Sequence, residues 1–256
     1  MIEVSGYAKR FGRHVAVQDL SFTARPGEIF ALLGPNGAGK TTTIRAIVGL
    51  TRPSAGAVRV NGFDVWRAPL AAKAALGYIP DRPHLYGKLT GRELLRFVAG
   101  LHGQDRAADI ERWLAFFGLT HFGNELTETY SHGMRQKLTI IAALLPEPRA
   151  LVVDEPMVGL DPRAAKQVRE LLRGFADRGG AVLLTTHSLP LAESVADRIL
   201  VLDRGRVLGL GTLDELRART GTQAGGVEGD SLERVFFRLL EDEEAERQRT
   251  AAGPLA

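Results

Sequence analysis

Three groups of residues in this 256-residue chain have the types and spacing that phosphate chemistry needs. The first is Gly34-Pro35-Asn36-Gly37-Ala38-Gly39-Lys40-Thr41, which fits G-x-x-x-x-G-K-[ST]. Glycines let such a loop fold tightly, so that its N–H groups converge on oxyanions. A helix beginning near Lys40 adds the positive end of its dipole. Lys40 would reach the β- and γ-phosphates, and the Thr41 hydroxyl would help hold Mg²⁺. The second group is Asp154-Glu155, directly after an apolar run. Asp154 is the right type to hold a hard cation through water, and Glu155 is placed to polarise an attacking water. The other reading of the pair is an acidic cap for the next helix. The third is His187, after Leu183-Leu184-Thr185-Thr186, where an imidazole can bond a γ-phosphate or that water. Together they point to binding and hydrolysis of a nucleoside triphosphate.

These residues need a scaffold, and the pattern supplies one. Ile29 to Leu33 reads as a buried strand, and Thr41 to Leu50 as a helix, so the glycine loop lies in the strand–loop–helix context that phosphate loops require. Residues 150–153 and 181–185 are continuous apolar runs, as expected of parallel strands covered on both faces. Their C-terminal ends are where open α/β sheets bind ligands. Ala164 to Ala176 reads as the crossover helix between them. Residues 1–28 read as short strands and turns, and 56–62 as a strand ending in an Asn-Gly hairpin. Between about 89 and 148 the period becomes helical, through Leu94, Leu95, Phe97, Val98 and Leu101, then Ile110, Trp113, Leu114 and Phe117, then Met134, Leu138, Ile141, Ala142 and Leu145. This predicts an inserted all-helical lobe. Residues 199–202 and 207–208, around Asp203-Arg204-Gly205, read as a closing hairpin. One domain over 1–220 is expected. Residues 221–229 would be a linker, followed by a short helix capped by Ser231 and carrying Leu232, Val235, Phe236, Leu239 and Leu240, and by a mobile tail after Glu241.

Composition narrows the classes further. Hydrophobic residues make up 45% and charged residues 25%, an ordinary globular balance. A formal charge of +3 with no basic run argues against nucleic acid as a partner. The chain has no cysteine, which excludes disulfides and thiolate metal sites. The N-terminus lacks the basic and apolar regions of a signal peptide. The longest apolar stretch, Leu138 to Leu145, is far short of the roughly 20 residues a bilayer span needs, so membrane contact is expected only through a partner.

Over roughly residues 1–215 the order of these motifs resembles the ATP-binding subunit of an ABC transporter. The resemblance implies an α/β fold of the P-loop NTPase (RecA-like) class: a mostly parallel sheet core, an N-terminal antiparallel β subdomain and the inserted helical lobe. It makes Gly34 to Thr41, with Thr42 behind, the Walker A loop; Leu151 to Asp154 Walker B; and Glu155 the catalytic base. Gly159-Leu160-Asp161 becomes the D-loop, and His187 the switch histidine. Phe11, before Gly12, would stack on adenine or else pack in the core. The signature, usually Leu-Ser-Gly-Gly-Gln, reads Tyr130-Ser131-His132-Gly133-Met134 and keeps Ser131 and Gly133. Asp81, after Gly77-Tyr78-Ile79-Pro80, stands where the family has the Q-loop glutamine. It would reach Mg²⁺ through water or merely cap the turn with Pro83.

The resemblance further implies ATP and Mg²⁺ as ligands, with the ion held by Thr41, Asp154 and Asp81. A second ATPase subunit, in a homodimer or heterodimer, would meet that ATP through Ser131 and Gly133. The helical lobe and the Asp81 loop would contact transmembrane permease subunits, placing the chain at the cytoplasmic face of the membrane. Single-domain length, the signature and Leu232-Glu233-Arg234-Val235-Phe236 look most like ABC-2 type exporters. An importer ATPase is the nearest alternative. A soluble ABC protein acting on ribosomes or DNA is further off, because only one set of motifs is present and no sustained heptads lie between Lys40 and Ser131.

Overall fold

The computed structural model describes residues 1–221 and 232–251, without the side chains of 250 and 251. The chain opens with β1 (Ile2–Phe11) and β2 (His14–Ala24), then β3 (Ile29–Leu33), α1 (Lys40–Ile47), β4 (Ala55–Val60) and β5 (Phe63–Asp64). Next come α2 (Pro69–Ala74), β6 (Leu76–Ile79), α3 (Gly91–Leu101), α4 (Ala107–Phe116) and α5 (His132–Leu144). The remainder is β7 (Ala150–Asp154), α6 (Pro162–Asp177), β8 (Ala181–Thr185), α7 (Leu189–Val195), β9 (Arg198–Asp203), β10 (Arg206–Gly211), α8 (Leu213–Thr220) and α9 (Leu232–Ala251).

A four-stranded antiparallel sheet, ordered β2-β1-β4-β5, lies over a six-stranded sheet ordered β10-β9-β3-β8-β7-β6. In the larger sheet only the β9–β10 pair is antiparallel. Its strands are apolar throughout because both faces are covered. Along β3 the side chains alternate: Phe30 and Leu32 face the core shared with α1 and the antiparallel sheet, where the Phe22 and Phe30 rings stack at 5.0 Å. Ile29 on the other face joins the core built with α5, α6 and the helical lobe. Ala31 and Leu33 join the one under α7, α8 and α9. The centre of the sheet is therefore held from three sides, and the loops leaving β3, β7 and β8 emerge at one edge.

Local chemistry explains most boundaries. Asn61 and Gly62, at φ +49° and +85°, make the two-residue turn joining β4 to β5. Thr90 and Glu93 form a reciprocal capping box at the start of α3. In the helical lobe Leu94, Leu95, Ile110, Leu114, Phe117, Leu138 and Ile141 share one buried cluster, whereas Phe97 and Leu101 are exposed. Helix α1 stops at Ile47, and Gly49 at φ +75° turns the chain before the expected end at Leu50.

Several expectations need correction. The N-terminal strands are long, 10 and 11 residues, and pair through register shifts that carry them past their polar stretches. Helix α2 and strand β6 were not read as elements at all. Each is too short to show a period, and β6 is defined by its pairing with β7. The C-terminal helix is not short: α9 runs 20 residues, and the segment after Glu241, expected to be a mobile tail, is helical to Ala251. Leu232, Val235, Phe236 and Leu239 bury against the core, and the pairs Arg238–Asp242 (3.6 Å) and Glu243–Arg247 (2.7 Å) support the polar turns that follow. Ser231 and most of the expected linker lie outside the described residues.

Candidate functional site

The glycine loop leaves β3 and feeds α1 directly, and its glycines are dictated by close approach. A Cβ on Gly34 would overlap the Leu202 carbonyl oxygen, and one on Gly39 (φ +110°) would sit 2.9 Å from the Ala16 oxygen. Gly37 faces open space and is needed for its φ of +81°. Lys40 Nζ donates to the carbonyls of Gly34 (2.6 Å) and Pro35 (3.1 Å) and so spans the loop. Asn36 is exposed and Ala38 buried beneath it. Helix α1 starts with neither a side-chain cap nor an acidic residue in its first turn. Thr41 is exposed, and Thr42 is fixed through its carbonyl, which accepts from Tyr7 Oη at 3.2 Å. Burial lowers the Lys40 pKa, opposed by the charges of Glu155 and Asp154. The loop lysine and the two carboxylates thus share one electrostatic field.

Asp154 ends β7 opposite Thr185 of β8, whose Oγ1 donates to it at 2.6 Å. Burial pushes the Asp154 carboxyl up; the Thr185 bond opposes this, and Asp81 and Glu155 reinforce it. Glu155, one residue beyond the strand, sits in the left-handed region at φ +48°. Its backbone N–H donates to the Thr185 carbonyl at 3.0 Å. Its carboxylate accepts from the His187 backbone N–H (2.6 Å) and the Thr186 hydroxyl (3.1 Å), and His187 Nδ1 lies 2.8 Å away. The base is thereby aimed by the segment that follows β8, while the His187 side chain itself stays 74% exposed. Thr185 and Thr186 were not singled out from sequence, although their position between an apolar strand and His187 was the available signal. Gln136, buried on α5, donates to the Pro156 carbonyl at 3.4 Å and ties that helix to the turn after Glu155.

Asp81 lies just past β6 and lines, with Thr41, Tyr78 and Asp154, a cavity of about 520 Å³. Tyr78 has its hydroxyl pKa pushed up to about 12 by burial, with Asp154 and Asp81 adding to it. Phe11 is 52% exposed, and Lys9 Nζ stands 4.8 Å from its ring centre. It is not a core residue, and Lys9 stands over one face of its ring.

Ser131 caps α5 by accepting from the Met134 N–H at 3.3 Å. A Cβ on Gly133 would fall 2.9 Å from the Gly159 oxygen, and the His132 ring lies against Gly159. Asp161 caps α6 by accepting from the Ala164 N–H (2.8 Å) and faces Lys137 at 4.0 Å. Among the described residues no hydrogen bond or ion pair joins Ser131, Gly133 or Asp161 to the glycine loop or to Glu155. The fold thus brings Lys40, Asp154, Glu155 and His187 together, with Thr41 and Asp81 on the cavity that Asp154 also lines. Nor do three His, Cys, Asp or Glu side chains converge on a metal position among the described residues. A divalent cation here would share its coordination with phosphate oxygens and water, as Mg²⁺ does.

Residues 17–158 match the family model described as ABC transporter. The chain is 42% identical over 223 residues to a daunorubicin resistance ATP-binding protein of Streptomyces coeruleorubidus, covering 86% of this chain and 71% of that one. It is 35% identical over 227 residues to a linearmycin resistance ATP-binding protein of Bacillus subtilis, covering 86% and 72%. A solved structure of an ATP binding subunit of an ABC transporter superposes with a TM-score of 0.88 at 35% identity, over 94% of this chain and 99% of that one. A dimeric ATP-binding cassette in a post-hydrolysis state with ADP and Pi shares the fold, with a TM-score of 0.75 at 23% identity over 83% and 98%.

Proposed function

The chain belongs to the ABC transporter ATP-binding family, and from that premise we propose a residue-by-residue account of how it hydrolyses ATP to power an exporter. The loop N–H groups and Lys40 hold the β- and γ-phosphates, and the exposed Phe11 ring stacks on adenine. Glu155 accepts the proton of the attacking water as its oxygen bonds to the γ-phosphorus and the bond from that phosphorus to the β–γ bridging oxygen breaks, so that ADP leaves and inorganic phosphate is formed. His187, anchored on the same carboxylate, orients that water or the γ-phosphate. Thr41, Asp154 and Asp81 would hold Mg²⁺, which supplies neutralising charge at the β- and γ-oxygens. The donor set fits: all three are hard oxygen ligands around one cavity, and Asp154 is a desolvated carboxylate beside another acid.

Among the described residues Ser131 and Gly133 make no hydrogen bond or ion pair with the chain's own loop, which supports their use on the ATP of a second ATPase subunit. ATP then joins two chains, and hydrolysis removes the shared contacts. Among the described residues no helix is long and apolar enough to cross a membrane, so we assign membrane contact at the cytoplasmic face to permease subunits. The exposed Leu50, Tyr86 and Phe97 near Asp81 support docking there. The names of the two relatives support a cargo of the drug or antibiotic class. We take 1–220 as the ATPase domain, with the lobe at about 89–148, and α9 as an appendage packed onto it.

The observation that carries this reading is the Glu155 carboxylate, held by Thr186 and the His187 backbone on the sheet edge it shares with the Lys40 loop. Glu155→Gln should keep ATP binding and lower turnover roughly 10²–10⁴-fold, the usual worth of a positioned base. Turnover near the wild-type rate would take Glu155 out of that role.

A further inference from the structure

The turn that closes the β9–β10 hairpin is wedged under the ATP loop. Gly205 N–H donates to the Ala38 carbonyl at 2.8 Å, and its own carbonyl accepts from the Gln18 N–H at 2.9 Å. The Leu202 carbonyl fills the space a side chain would need on Gly34, and a Cβ on Gly205 would lie 2.7 Å from the Ala16 oxygen. The glycine loop and this turn therefore move together or not at all. The turn itself is a two-residue hairpin connection, with Arg204 at φ +44° and Gly205 at φ +78° between the paired Asp203 and Arg206.

The residue that opens this turn is also reached from α9. The Asp203 side chain is only 10% exposed, and Arg247 Nη2, from the far end of α9, stands 3.5 Å from its Oδ2. Arg247 is itself oriented by Glu243 at 2.7 Å. Among the described residues the other cation paired with Asp203 is Arg204, at 3.8 Å on a side chain that is 66% exposed and so a weak competitor. A half-buried ion pair thus joins the C-terminal helix to the turn, and the turn to the loop.

We propose that Arg247 is a positioning residue for ATP binding. Acting through Asp203, it holds the 203–205 turn and with it the Ala38–Gly39 half of the loop in the shape that receives phosphate. This rests on the reading of Gly34 to Thr41 as the ATP site. The test uses the full chain, a fluorescent ATP analogue and steady-state hydrolysis. Arg247→Ala should raise Kd and KM for ATP about three- to tenfold, inside the roughly two- to thirtyfold span of couplings carried by packed networks, while kcat at saturation stays unchanged. Arg247→Lys should restore most of the affinity. Asp203→Asn should weaken binding similarly, and the double variant no more than either single one. Wild-type Kd in Arg247→Ala would overturn the proposal. So would a fall in kcat that Arg247→Lys does not rescue, because that marks general loss of structure. If the wild-type chain failed to bind the analogue, the ATP-site reading would fall and take this one with it.

Discussion

At Glu155 and Asp154 the chain places function ahead of comfort. A glutamate at φ +48° stores backbone strain of about 1–3 kcal/mol, and it persists because the Thr185 carbonyl, the Thr186 hydroxyl and the His187 N–H grip it from β8. Asp154 is an acid whose ionised form is disfavoured by burial and by two neighbouring acids. Its folded pKa is therefore raised, and the stability it contributes when neutral is lost as pH rises through that raised value. Asp154→Asn, which can still accept from Thr185, should melt a few degrees higher than wild type at pH 7 in the absence of nucleotide. The gain should vanish below about pH 3.8, where aspartate is neutral in both states. Calorimetry across that range checks it; a lower melting temperature at pH 7 would contradict the burial argument.

The elements transmit these residue-scale constraints. Strand β6 is four residues long, yet it leads straight to Asp81 and packs its Gly77 against α5 and β7. A Cβ on Gly77 would lie 2.8 Å from Leu151 Cδ1 and 3.0 Å from Pro148 Cγ, with the Ala143 carbonyl closer still. Gly77→Ala should therefore cost about 1–3 kcal/mol, as overpacking does, read as a lower urea midpoint with an unchanged m-value. An unchanged midpoint would mean that the β6–α5 contact yields. Helices α5 and α6 start where Ser131 and Asp161 cap them, so residues singled out for ligand contact also hold up local structure. Their substitution needs a stability control before any functional reading.

On the scale of the whole molecule, the proposed function gives the phosphate loop and the signature of one chain to two different ATP molecules. Ser131→Arg should leave nucleotide binding by the monomer intact and abolish ATP-dependent dimerisation, measured by sedimentation with Glu155→Gln in the background to prevent hydrolysis. Dimers of the Ser131→Arg chain in ATP would remove the composite site.

The phosphate loop, the two carboxylates at the end of β7 and His187 after β8 were legible in the sequence, because each follows a continuous apolar run that only a doubly covered strand explains. The parallel core and the closing hairpin were legible for the same reason. Folding decided what depends on neighbours distant in the chain. Thr185 and Thr186 became holders of the acids only once β8 lay beside β7. Phe11 proved exposed because the strand that carries it runs past the edge of the core. The segment after Glu241 looked like a solvated tail, since its charges pair along α9 and, at Asp203, with a turn some forty residues back in the chain. Apolar periodicity reports which face a segment buries, whereas charge pairing across the fold leaves no period to read.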